Sequence, residues 1–134
     1  PYAGAKEGTQ FQMQKVLHLQ LPGGRVEEAI AGTNQQIFSR PSDTSDELRV
    51  LQANSLWVQT GIPLLPSYLN TVERFYRGLV KRVDFVNQQE TARSEINNWT
   101  REKTFGKIPA IIPQGTISAA TRMVIVNALY LKAK

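Results

Sequence analysis

The stretch "MVIVNALYLKAK", residues 123–134, decides how the rest of the chain is interpreted. Its β-branched and aliphatic residues are typical of a buried strand, yet an amide, Asn127, stands in the middle of it. A buried amide without a hydrogen-bond partner costs about 1 to 3 kcal/mol. If this strand is buried, Asn127 must therefore have a partner elsewhere in the structure.

Length and composition indicate one ordinary globular domain. The 134 residues include 41% hydrophobic and 20% charged residues, which argues against disorder throughout. No apolar run reaches the roughly 18 residues of a membrane span, and the first residues lack the pattern of a signal peptide. We therefore expect no membrane partner.

The residue types exclude several kinds of chemistry. The chain has no cysteine, and its single histidine is His18, so we expect no disulfide, no zinc site and no Ser-His-Asp triad. Phosphate-binding glycine motifs are absent, and Glu27 and Glu28 are neighbours in sequence rather than an acid–base pair. We expect neither an enzyme nor a metal ion nor a cofactor, and we interpret His18 as a surface or packing residue.

A net charge of +5 raises the question of a polyanionic partner. The densest basic stretch, "RFYRGLVKR", interleaves its cations with Phe75 and Tyr76, and the cations are Arg74, Arg77, Lys81 and Arg82. Such a stretch can neutralise phosphates and stack on bases. An amphipathic helix with solvated arginines explains the same pattern, and we favour it, so nucleic acid is not the expected partner.

Helices and strands alternate irregularly along the chain. Apolar spacing predicts four helices, around residues 9–21, 25–38, 65–78 and 87–105. Runs rich in β-branched residues predict three strands, at residues 48–59, 79–85 and 122–134, and the polar residues 39–47 are predicted to form a loop. Three strands and four helices make a mixed α/β or α+β arrangement.

Local patterns predict where two helices begin and one ends. Thr9 with Gln12 has the spacing of a capping box, Asn87 with Glu90 is a second candidate cap, and Gly78 can end the third helix. On the fourth helix, the face opposite the apolar stripe carries polar residues, among them Arg93, Asn97 and Arg101, and we expect it to be solvated. Asn98 starts a short N-glycosylation pattern inside this helix, and its modification stays open.

At "LQANSLWVQTGIPLLPSYLNTVERFY", "VDFVNQQETARSEINNWTREKTFGKI" and "TRMVIVNALYLKAK" the sequence resembles the serpins, the serine-protease-inhibitor superfamily. The resemblance covers essentially the whole chain in the family's order. It implies that the four helices are serpin helices C to F and that the strands are strands 1, 2 and 3 of the large sheet A. Residues 1–134 then form a single partial serpin domain, without the reactive-centre loop, helices A and B, or sheets B and C.

The resemblance implies an inhibitor of serine-type endopeptidases that acts as a suicide substrate. In this mechanism the protease cleaves the exposed loop, and the loop inserts into sheet A as a new strand, starting from a metastable state. The partner would be a serine or cysteine protease bound through the reactive loop, and no reactive-centre residue is assigned within this chain. The resemblance also implies a secreted protein, and the remainder of the same serpin is a further expected partner.

The resemblance also assigns roles in the moving parts of the fold. Asn127 matches the asparagine of the shutter region, whose expected partners, a serine of helix B and a histidine of the fifth strand, lie outside this chain. The strand beside which the loop inserts contributes Val124, Val126 and Leu129. The helix that crosses sheet A contributes Ile96, Asn97, Trp99 and Thr104.

Two other functions stay open. The chain can belong to a non-inhibitory serpin, such as a carrier or chaperone, or it can act as a truncated module that self-associates through its open sheet edge. Residues of the hinge before the reactive loop would discriminate the first of these from an inhibitor. We also expect poor cover of Trp57, Val124, Val126 and Leu129, and an isolated chain that is unstable or oligomeric.

Overall fold

The computed structural model describes residues 2–19, 21, 25–38 and 48–133. Within these residues the helices are α1 (Glu7–Val16), α2 (Arg25–Phe38), α3 (Pro66–Tyr76) and α4 (Gln89–Lys103), and a short 3-10 turn (Tyr2–Gly4) precedes α1. The strands are β1 (Leu48–Gln59), β2 (Leu79–Val83) and β3 (Met123–Ala133). The mixed α/β arrangement expected from the sequence is confirmed, and the predicted loop at residues 39–47 lies outside the described residues.

The strands form one sheet in the order β2-β1-β3. β1 and β2 run parallel, with Trp57 opposite Lys81, and α3 supplies the crossover that a parallel pair requires. β1 and β3 run antiparallel, with Asn54 opposite Asn127. β1 is therefore the central strand, and its positions 55–59 are all buried, which is typical of a strand covered on both faces.

The core lies between α4 and one face of the sheet. Trp57 of β1, Val126 of β3 and Ile96 of α4 are buried together there, and Ile117 closes the cluster. The rings of Trp57 and Trp99 meet edge to face with centroids 6.1 Å apart. The expectation of poor cover is thus wrong for Trp57 and Val126, because α4 of the same chain covers them.

The opposite face of the sheet is covered only in part. Side chains alternate along a strand, so every second residue of β3 turns away from α4. The apolar residues on that side are between 46% and 63% exposed, and we call them the apolar stripe: Met123, Ile125, Leu129 and Leu131. For Leu129 the expectation of poor cover is confirmed.

The start of α1 differs from the predicted capping box. The helix begins at Glu7, and its N-cap is Lys6, whose extended backbone (φ −129°, ψ 155°) leads into the first turn without a side-chain cap bond. Thr9 and Gln12 therefore lie inside the helix, where the backbone is already helical. The capping-box prediction is wrong because the N-cap of α1 lies three residues earlier than the pattern indicated.

The turn before α4 is organised by Asp84 rather than by a cap at Asn87. Asp84 Oδ1 accepts the backbone N–H groups of Val86 and Asn87, both at 3.0 Å, and Oδ2 accepts from Asn87 Nδ2 at 2.9 Å. These bonds lower the pKa of Asp84, with the side chain of Asn87 as the largest cause. The N-cap of α4 is Gln88, so the prediction of Asn87 as the cap is wrong.

The end of α3 also differs by one residue from the prediction. Arg77, not Gly78, takes the left-handed conformation that ends the helix, with φ 47°. Gly78 is required for a different reason, because a Cβ at this position would lie 3.1 Å from Cγ1 of Val72. The glycine thus permits close packing of the helix end against the following strand.

Candidate functional site at the edge of the sheet

Asn127 and Asn54 face each other across β1 and β3. Asn127 Nδ2 donates a hydrogen bond of 2.5 Å to Asn54 Oδ1. Asn127 is exposed and Asn54 is half-buried, on the side of the sheet that α4 leaves free. The premise of a buried amide is therefore wrong for this chain, and Asn127 has a partner inside it. The sequence shows an amide in each of two predicted strands, but it does not show their register.

A cavity of about 350 Å³ lies beside this asparagine pair. Ile30 of α2, Tyr68 and Val72 of α3, and Leu56 of β1 contribute to its walls. The hydroxyl of Tyr76, which also borders it, is buried and has no hydrogen-bond partner among the described residues. Burial raises the pKa of this hydroxyl. The described part of the chain thus leaves this side of the sheet incompletely packed.

β3 has a partner strand along one edge only. Its antiparallel pairing with β1 extends from Leu48 opposite Ala133 to Val58 opposite Met123. Its other edge has no strand partner in the part of the chain that the structure describes. Such an edge presents a row of backbone N–H and C=O groups that another strand can pair with.

The predicted strand residues lie on different sides of β3. Val126 is buried under α4 and Val124 is half-buried beside the same core, whereas Leu129 is 58% exposed in the apolar stripe. The register places Val126 opposite Ser55 and Leu129 opposite Gln52. The structure therefore brings the two valines together with α4 and separates Leu129 from them.

Asn97 holds the chain that follows α4. Its Oδ1 accepts the backbone N–H groups of Ile111 and Ile112, and its Nδ2 donates to the carbonyl of Ile112, each at 2.9 Å. Asn97 is 6% exposed, so the prediction that it lies on a solvated face is wrong. We call these three residues the Asn97 clamp. Helical spacing alone does not reveal it, because residues fourteen and fifteen positions later supply the partners.

Two threonines fix the start of the same connection. The hydroxyl of Thr100 donates to the carbonyl of Ile96 at 3.0 Å, and that of Thr104 donates to the carbonyl of Thr100 at 2.8 Å. The Thr104 hydroxyl also accepts the backbone N–H of Ile108 at 3.1 Å. Both side chains are fully buried, and their polar atoms are all satisfied, as burial requires.

Polar contacts also tie α4 to β1 and β2. Lys81 of β2 forms an ion pair with Glu95 of α4, and its ammonium lies 5.8 Å from the centroid of the Trp57 ring. Both charged side chains are partly exposed, so the ion pair itself contributes about 1 kcal/mol or less. The half-buried Trp99 of α4 also packs against this indole, edge to face.

The structure separates Lys81 from Arg82 among the predicted basic residues. Lys81 and Arg82 are adjacent in β2, so their side chains leave on opposite faces of the sheet. Arg82 donates to the carbonyl of Ile62 at 2.6 Å, and the guanidinium of Arg74 lies over the ring of Phe75 at 5.2 Å. Arg77 is exposed and ends α3.

Within the described residues, no cluster of His, Cys, Asp and Glu side chains is arranged to hold a metal ion. No helix in that part of the chain is long and apolar enough to cross a membrane. His18 is exposed at the end of α1, in a left-handed conformation with φ 53°. The candidate site consists of strands, a helix and the hydrogen bonds made by their backbone.

The order of the strands, the free edge of β3 and the helix across one face define a known architecture. The family model Serpin (serine protease inhibitor) matches residues 1–134. The chain belongs to the serpin family. The helices and the three-stranded sheet of the described residues match part of the serpin fold.

Relatives and solved structures match nearly the whole chain. An uncharacterized serpin-like protein of Methanosarcina acetivorans is 33% identical over 99% of this chain and 30% of its own length. The crystal structure of uncleaved ovalbumin is 31% identical, covers 98% of this chain and 34% of that one, and gives a TM-score of 0.86. The chain thus spans about a third of the length of the proteins that it matches.

A second ovalbumin structure provides a contrast. The loop-inserted structure of a cleaved ovalbumin mutant is also 31% identical, covers 98% of this chain and 36% of that one, and gives a TM-score of 0.73. At equal sequence identity, the chain follows the uncleaved arrangement more closely than the loop-inserted one.

Proposed function

We propose that this chain is the part of a full-length serpin that receives the inserted reactive loop, and that the full-length protein inhibits a serine-type endopeptidase. The observation that carries the proposal is the outer edge of β3, which is unpaired in the described part of the chain. A strand added there pairs with backbone N–H and C=O groups along the outer edge of β3. The closer fit to uncleaved than to loop-inserted ovalbumin supports an arrangement that is ready for this addition.

The protease carries out the chemical step of inhibition. Its serine attacks the scissile carbonyl of the reactive loop, the amine leaves, and an ester joins the protease to the N-terminal part of the loop. This chain then supplies the acceptor for the loop, which becomes a new strand beside β3. Insertion carries the protease away from its starting position before water hydrolyses the ester.

The pairing within the sheet determines where it can open. β1 and β3 share a long antiparallel ladder, and the bond between Asn127 and Asn54 adds a side-chain contact to it. Separating these strands would break both. The new strand therefore enters at the outer edge of β3, and β1 and β3 stay together during insertion.

The proposal is tested by incubating the full-length protein with trypsin-, chymotrypsin- and elastase-type proteases. An SDS-resistant complex with the summed mass of the two proteins is the expected result. A protease whose active-site serine is replaced by alanine is the control, because it cannot form the ester. Cleavage of the loop by every protease without a stable complex would overturn inhibition and favour a non-inhibitory serpin.

Secretion is part of the proposal and rests on the family resemblance. An inhibitor that acts on extracellular proteases has to leave the cell that makes it. Detection of the full-length protein in the medium of the cells that express it is the expected result. Its retention inside the cell, with the medium free of it, would contradict an extracellular target.

A further inference from the structure

The connection between α4 and β3, residues 104–122, lies on the same face of the sheet as α4. Ile112 and Ile117 of the connection are buried in one cluster with Ile96 of α4 and Trp57 of β1. The connection then leads directly into β3, and the carbonyl of Arg122 accepts the backbone N–H of Gln59 at 2.9 Å. Helix and connection thus form two parts of one layer over the sheet.

The Asn97 clamp joins these two parts. An amide side chain offers two donors and an acceptor oxygen, and Asn97 directs one donor and both acceptor bonds at Ile111 and Ile112. Arg93, one turn earlier on α4, adds a bond of 3.1 Å from Nη1 to the carbonyl of Ile112. If the connection moved away alone, the buried Asn97 amide would lose its bonds to three backbone groups, which is costly.

We infer that Asn97 is a positioning residue that makes α4 and its connection one body, so that both must lift together when a strand is added beside β3. One consequence of the inference is that Asn97 limits the rate of strand insertion, and this consequence rests on the proposed function. Its structural part, the coupling of helix and connection, stands on the bonds and burial described above.

The neighbouring Asn98 provides a matched control. It has the same side chain, but it is exposed, and its Oδ1 accepts from Nη2 of Arg101 at 2.9 Å. Asn97→Leu removes all bonds of the clamp and keeps the branching and the number of non-hydrogen atoms of the side chain. Asn97→Asp keeps an acceptor for the two N–H groups while losing the donor. Production in bacterial cells leaves the glycosylation pattern at Asn98 unmodified.

Hydrogen exchange of the full-length protein tests the coupling. In the parent protein, the amides of Ile111 and Ile112 and those of Ile96 and Thr100 in α4 are expected to exchange through one shared opening. In Asn97→Leu, exchange at Ile111 and Ile112 should rise about tenfold while the α4 amides keep their rates. Asn97→Asp should fall between the two, and Asn98→Leu should match the parent.

Two results of the exchange experiment would overturn the coupling. Asn97→Leu could raise the exchange rates of the amides in α4 and in the connection equally. Asn97 would then have a general structural role and would not specifically join the helix to the connection. Unchanged exchange at Ile111 and Ile112 would likewise overturn the inference.

The functional consequence is measured on the same variants. Asn97→Leu should shift the partition between SDS-resistant complex and cleaved serpin toward the complex by about fivefold, because the connection can yield before the helix. An unchanged partition together with faster exchange at Ile111 and Ile112 would overturn the role of Asn97 in insertion. Failure of the parent protein to form any complex would instead overturn the proposed function, and the exchange experiment would still decide the coupling.

Discussion

The indole Nε1 of Trp57 donates a hydrogen bond of 2.8 Å to Oγ of Ser55, two residues earlier on the same face of β1. Both side chains are buried, and the two positions face α4 because residues two apart in a strand share a face. The largest buried side chain of the core thus has its one polar atom satisfied within its own strand. The indole is therefore buried in the core without a polar group from α4.

Replacing Ser55 should destabilise the full-length protein. Ser55→Ala leaves the buried indole N–H without a partner, which costs about 1 to 3 kcal/mol of the free energy of unfolding. Denaturant unfolding followed by circular dichroism measures the loss. Ser67→Ala, at an exposed position in the first turn of α3, is the control and should change stability by less than about 0.5 kcal/mol. Equal effects of the two substitutions would contradict the role of the Trp57–Ser55 bond.

The bond between Asn54 and Asn127 predicts a measurable coupling. Because Asn127 is exposed, we expect a modest interaction free energy of about 0.5 to 1.5 kcal/mol from a double-mutant cycle. The cycle uses Asn54→Ala, Asn127→Ala and the double variant of the full-length protein, with denaturant unfolding as the measurement. Additive effects would mean that the two amides do not stabilise the β1–β3 pair through each other.

Asp84 should make stability dependent on pH in the acidic range. Its pKa in the folded protein is lowered from 3.8, chiefly by the Asn87 side chain, so the folded state favours the charged carboxylate. The stabilising effect is present above pH 4 and is lost as the pH falls through the lowered pKa. Unfolding midpoints between pH 7 and pH 2.5 measure it. The difference between the parent and Asp84→Asn should shrink below pH 4, and a constant difference across this range would contradict the effect.

The apolar stripe should make the isolated 134-residue chain self-associate. Size-exclusion chromatography at micromolar concentration is expected to give oligomers, because Ile125 and Leu129 expose more than half of their surface. The double substitution Ile125→Lys and Leu129→Lys should shift the chain to smaller species. Leu65→Lys, at an exposed apolar position outside the stripe, should leave the distribution unchanged. A monomeric parent chain would contradict the expectation.

Local sequence patterns predicted the elements, whereas their contacts depend on chain segments far apart. Runs rich in β-branched residues are enough to place β1, β2 and β3, and helical spacing is enough for α1 to α4. The pairing of Asn54 with Asn127 depends on the register of two strands that are 73 positions apart, which no local pattern specifies. Asn97 was assigned to solvent because its helical face is polar, and it is buried because the connection folds back over that face.

The edge-to-face contact between Trp57 and Trp99 gives the chain an intrinsic spectroscopic probe. These are the two tryptophans of the sequence, one in the sheet and one in α4, with ring centroids 6.1 Å apart. Two indoles at this distance couple their electronic transitions, and the coupling disappears when one ring moves away. Near-ultraviolet circular dichroism can therefore time the departure of the helix from the sheet without any attached label.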